Sequence, residues 1–148
     1  MTGPYADASA ISTILGLTVA ASITMLAFRL QRELGVRDSH GVESTWIPVA
    51  DRLLIAALLI ASLFGLLPLL LWPHVFGSNI RLSSSACAAS VVLLAIYPLA
   101  IFAHYDLNVF GRNMNRQNRS AYNLAFEYAY VALGGIAAAV AAFYTWLR

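Results

Sequence analysis

The side chains of this chain that could do chemistry are few: Arg29, Asp51, Arg52, His104, Asp106, Arg119, Asn123 and Glu127. Carboxylates and guanidinium groups can bind a charged head group or pair with each other inside a fold. Glu127 is the most informative of them. It stands among Tyr122, Phe126, Tyr128 and Tyr130, and a carboxylate in such company needs a partner, which Arg29, Arg52 or Arg119 could supply by snorkelling. Two readings stay open: a structural ion pair that pins the last helix, or a carboxylate at a cytoplasm-facing pocket. His104 and Asp106 could act as a pH-sensitive acid–base pair. The preferred reading is an interfacial histidine that complements a helix dipole. No residue is assigned a catalytic role.

Other chemistries are excluded by count and spacing. The three histidines, His40, His74 and His104, lie too far apart for a short metal-ligand motif, so no metal site is expected. The single cysteine, Cys87, permits neither an internal disulfide nor a thiolate cluster. Neither of the two long connections holds a phosphate-cradling glycine motif, and no cofactor is expected.

The elements that must position these residues follow from where charge is missing. Only 11% of the 148 residues are charged and 60% are hydrophobic, against roughly 25% charged in a soluble domain. The chain reads as a single all-α integral membrane domain spanning 1–148. Uncharged stretches of 21, 28, 24 and 20 residues separate Asp7 from Arg29, Arg52 from Arg81, Arg81 from Asp106, and Glu127 from Arg148. About 20 apolar residues cross a hydrocarbon core as a helix, which predicts transmembrane helices over about 8–28, 47–72, 84–103 and 122–146. Runs such as Leu53-Leu54-Ile55-Ala56-Ala57-Leu58 lack the alternation of a membrane strand. The N-terminus has Asp7 and no basic residue before the first apolar run, so a cleaved signal peptide is not expected. Pro48 with Thr45, the serines at 83, 84 and 85, and Ser120 are the expected starting signals of helices 2, 3 and 4. Pro68 and Pro98 are expected to bend their helices.

All nine basic residues are arginines. Arg29, Arg32, Arg37 and Arg52 flank the first long connection, and Arg112, Arg116 and Arg119 the second, with only Arg81 and Arg148 on the other side. The positive-inside rule then places both long connections in the cytoplasm and both termini outside, in an antiparallel bundle. Distances along the helices, at about 1.5 Å per residue, put Arg29, Asp51, Arg52, His104, Asp106 and Glu127 in one layer. That layer is the cytoplasmic edge, leaving the middle of the membrane neutral. Mid-membrane charges mark proton relays and ion-coupling sites, so an ion-coupled transporter is disfavoured. Thr13, Thr18, Ser22 and Thr24 would line any conducting path, though hydroxyls in such helices more often bond to backbone or a neighbouring helix.

Helices in lipid associate by close packing and interhelical hydrogen bonds. Small residues recur at four-residue spacing: Ala8, Ser12, Gly16, Ala20 and Thr24; Ala57, Ala61 and Gly65; Gly134, Ala138 and Ala142. These ridges are expected either to pack within the chain or to meet a neighbouring subunit. Expected partners are membrane lipid and a second copy or another membrane protein. Arg112, Arg116 and Arg119, set among amides without an acid, suit anionic lipid or an acidic partner. A net charge of +2 argues against nucleic acid as the main partner.

Arg119, Asn123 and Glu127 resemble the arginine, asparagine and glutamate constellation of the glutathione-using eicosanoid-type membrane enzymes, which have about this length and plan. Those enzymes carry it at the entry to helix 2, whereas here it stands at the entry to helix 4, and no family is assigned on it. The leading expectation is a non-catalytic subunit or oligomeric channel or transport component of a bacterial inner membrane. The alternative is a small membrane enzyme or lipid-binding protein that uses the cytoplasmic-edge cluster.

Overall fold

In the computed structural model the backbone is described for residues 4–40, 49–71, 76–104 and 119–148, and side chains for 8–32, 34–35, 49–71, 79–103 and 126–148. The described residues hold no strand. Four helices among them are long and apolar enough to cross a membrane, over Ala8–Arg32, Asp51–Leu71, Asn79–Ala103 and Phe126–Leu147. The chain is thus a multi-pass membrane protein by length and composition of its helices. The helices themselves are α1 (Pro4–His40), α2 (Asp51–Leu71), α3 (Phe76–His104) and α4 (Arg119–Leu147).

The boundaries differ from the sequence expectation in an instructive way. A charged residue does not by itself end a helix. Helix α1 therefore runs on past Arg29 to His40, since polar residues propagate a helix as well as apolar ones. Helix α3 starts at Phe76 rather than near 84. Arg81 is exposed on it, and Ser83, Ser84 and Ser85 lie within the helix instead of capping it. Ser120 likewise falls inside α4, which begins one residue earlier. Thr45 and Pro48, the expected start of α2, lie outside the described residues. The helix begins at Asp51 with Ala50 as its N-cap residue.

Helix α2 is not uniform. It is α-helical over Asp51–Leu59, takes the wider π register over Ile60–Leu66, and returns to α over Leu67–Leu71. Pro68 accounts for the change, because in an α register its ring would press on the Phe64 carbonyl and it has no N–H to offer. Widening the turn ahead of it relieves that crowding.

Helix α3 packs against the other three and is the most buried, with α2 next. Ala50, Leu53, Leu54 and Ala57 of α2 meet Ala89, Leu93, Tyr97 and Ala100 of α3, joined by Ala138 of α4. A second cluster joins Leu15, Ala61 and Cys87 from α1, α2 and α3. The small ridges of α2 and α4 lie in this interior: Ala57, Ala61, Gly65, Gly134 and Ala138 are buried and Ala142 is half-buried. A Cβ on Gly134 would sit 3.2 Å from Ile96 and 3.3 Å from Leu53, so glycine lets α4 approach α2 and α3 together. The ridge of α1 faces the other way. Ser12 is half-buried, while Gly16, Ala20 and Thr24 are exposed, and nothing lies within 4 Å of a Cβ built on Gly16. The side of α1 that packs inward carries Leu15, Thr18, Ser22 and Arg29.

Candidate functional site

Polar groups from all four helices gather where α2 begins. Asp51, in the first turn of α2, is 6% exposed, and Arg29 of α1 is 9% exposed. Arg29 Nε lies 3.4 Å from Asp51 Oδ1. The buried Tyr97 of α3 donates its hydroxyl to the same oxygen, also at 3.4 Å. From α4, the fully buried Glu127 accepts the Ala50 N–H on Oε1 at 2.6 Å.

The electrostatics are those of a helix start. The first N–H groups of a helix lack intrahelical acceptors and carry the positive end of its dipole. Ala50 has no side chain that could cap them. Two of the early N–H groups turn back locally, Arg52 to the Val49 carbonyl at 3.0 Å and Leu53 to the Ala50 carbonyl at 2.9 Å. The Ala50 N–H is taken by a carboxylate 77 residues away in sequence. A short, charge-assisted bond of this kind is strong, and in a membrane the N–H would have no water to fall back on. Asp51 adds a second negative charge at the same end, with Arg29 as its counter-ion.

The cluster lies at one edge of the spans. Asp51 opens its span, Glu127 is the second residue of its own, and Arg29 is the fourth from the end of Ala8–Arg32. Tyr97 lies six residues before the end of its span, and its long phenol reaches back to the others.

The structure brings together Arg29, Asp51 and Glu127 from the residues singled out in the sequence. It leaves Arg52 exposed beside them. The side chains of His104, Arg119 and Asn123 lie outside the described residues, as do Asp106, Arg112 and Arg116 entirely. Of the arginines considered as partners of Glu127, Arg29 lies on Asp51. Glu127 also holds a backbone N–H, that of Ala50. Two members were missed in the sequence, Tyr97 and the Ala50 N–H. A lone phenol in the apolar run before Pro98 was a weak signal for the first. An alanine where a helix start wants Ser, Thr, Asp or Asn was a signal for the second.

The hydroxyls of α1 are mostly turned back on their own helix. Thr13, Thr18 and Thr24 donate to the carbonyls of Ser9, Ile14 and Ala20. Ser22, fully buried two turns before Arg29, has no hydrogen-bond partner among the described residues. Among the described residues no group of three His, Cys, Asp or Glu could hold a metal ion.

Chemically, the carboxylates here act as acceptors and counter-ions for groups of the chain itself. Comparison with protein-family models, with curated proteins and with solved structures yields no match.

Proposed function

We propose that the chain is a non-catalytic membrane subunit that assembles with copies of itself or with a membrane partner, as part of a channel or transport assembly in a bacterial inner membrane. One observation carries this reading. The buried charges are engaged with the chain's own groups, Glu127 on the Ala50 N–H and Asp51 with Arg29 and Tyr97, while one small-residue ridge, Gly16 and Ala20 on α1, is left facing outward. Ridges of the same kind on α2 and α4 are used for close packing inside the chain.

In this reading the helices alternate in direction, with both termini outside and the arginine-flanked connections in the cytoplasm. Glu127 near the start of α4 touches the start of α2, and Thr145 near its end reaches Ser85 on α3 at 3.3 Å, which supports alternation. Arg112, Arg116 and Arg119 then face anionic lipid head groups or an acidic partner on the cytoplasmic side.

The test is self-association in lipid. Single copies of Gly16→Cys or Ala20→Cys, in a Cys87→Ala background and reconstituted in bilayers, are expected to form disulfide-linked dimers. Cysteines at Leu17 and Phe28, large exposed residues about a quarter turn away from that ridge around α1, are expected to cross-link far less. A chain that stays monomeric across protein-to-lipid ratios and co-purifies with no membrane partner overturns the proposal. Loss of an enzymatic or lipid-binding activity in a well-folded Glu127→Gln variant would favour the enzyme reading instead.

A further inference from the structure

Helix α2 contains a change of register that its neighbours hold from outside. Over Ile60–Leu66 the helix takes the π register. At its end the Leu67 N–H reaches five residues back to the Ser62 carbonyl, whereas at its start the Ile60 N–H still bonds to the Ala56 and Ala57 carbonyls. Such π turns accommodate one extra residue and are frequent at functional sites. Both sides of the segment are gripped. From α3, the buried Ser83 hydroxyl donates to the Gly65 carbonyl at 2.8 Å. From α1, Leu15 fills the notch left by Gly65, where a Cβ would come within 2.6 Å of its Cδ2. Beyond the segment, Asn79 Nδ2 makes a long contact of 3.4 Å with the Pro68 carbonyl.

We propose that Ile60–Leu66 is a two-register joint, latched in its π form by the Ser83 hydroxyl on the Gly65 carbonyl. A carbonyl inside a helix normally accepts from its own ladder. Here a hydroxyl from α3 also binds it, and that bond ties the widened turn to α3. Release of the latch lets the turn close to the α register. Closing removes one residue's worth of bulge, so the outer segment Leu67–Leu71 turns by about 100° and shifts about 1.5 Å relative to Asp51–Leu59. The inner segment stays put, because Glu127, Arg29 and Tyr97 hold its first turn. The rotation carries the buried Pro68 toward the lipid and brings an exposed face of Leu67–Leu71 inward. The joint is thus a conformational device in the outer half of the membrane, driven by the exchange of one neutral hydrogen bond.

Paired spin labels in lipid nanodiscs test this, in a Cys87→Ala background. One pair, at Leu70 and Leu147, reports the outer segment of α2 against α4, and both sites are exposed. A second pair, at Ile55 and Phe126, also exposed, reports the inner segment. The parent protein is expected to give one distance for each pair. Ser83→Ala is expected to add or substitute an outer-pair distance displaced on the order of 8 Å, the chord of that rotation at the helix surface. The inner pair stays unchanged, and Ser83→Thr restores the parent distance. A folded Ser83→Ala protein with both distances unaltered overturns the proposal, as does movement of both pairs together. Should Ser83→Ala fail to fold, Pro68→Ala provides the same reading. It returns the missing N–H and is expected to shift the outer pair alone, and an unmoved outer pair in that variant refutes the joint.

Discussion

The two ends of α2 are held by opposite kinds of chemistry. The first turn sits in a ring of charge, with Glu127 on the Ala50 N–H and Arg29 and Tyr97 on Asp51. The far half is held by one neutral hydroxyl, one amide and a leucine seated on a glycine. Removing one partner from the charged end strands a desolvated group, whereas breaking a neutral bond leaves a dipole that can find another partner nearby. The same helix is therefore anchored at one end and adjustable at the other.

The largest effect is expected at the charged end. Arg29→Leu leaves Asp51 buried without its counter-ion and should cost about 3 to 5 kcal/mol of stability. This is measurable by reversible unfolding in mixed micelles or by steric trapping. The double variant Arg29→Leu with Asp51→Leu should recover most of the loss, since a buried pair replaced by apolar groups is close to neutral. Additive losses in the double variant would show that the two side chains do not act as a pair.

Glu127→Ala should come next, at about 1 to 3 kcal/mol, the cost of leaving the Ala50 N–H unsatisfied out of water. Glu127→Gln keeps an acceptor on the same atom and should retain most of the stability. Equal damage from both variants would mean that the charge at the helix terminus, rather than the hydrogen bond, is what matters.

The smallest effect is expected at the neutral end, where its sign depends on a neighbour. Alanine at a helical position is favoured over glycine by about 1 kcal/mol, but in Gly65→Ala the new methyl meets the Leu15 side chain. In the parent chain Gly65→Ala should destabilise by about 1 kcal/mol. In a Leu15→Ala background the same change should stabilise. A sign that does not reverse between the two backgrounds would remove Leu15 from the account of the notch.

Much of this contrast was legible beforehand, though unevenly. That Arg29, Asp51 and Glu127 lie at the same end of their helices could be read from counts along them, because the rise per residue of a helix is fixed. The pairings among them could not. Arg29, Arg52 and Arg119 were equivalent candidates for Glu127 at the resolution of depth, and only lateral packing put Arg29 on Asp51. The cap at Ala50 escaped notice because local rules look for an acceptor within a few residues, and this one comes from another helix. Helices α3 and α4 start earlier than expected because a charged residue does not end a helix: Arg81 lies within α3 and Arg119 opens α4.

The amino-acid order by itself determined that the chain is helical with four helices long and apolar enough to cross a membrane, and at which end of those helices Arg29, Asp51 and Glu127 lie. Those follow from hydrophobic run length and the fixed rise of a helix. Which small ridge turns inward, which carboxylate holds which donor, and where α2 changes register were decided by tertiary structure. Ridges of similar size and polarity on three helices compete for the same interior, and only simultaneous packing of all four helices selects the two that are buried.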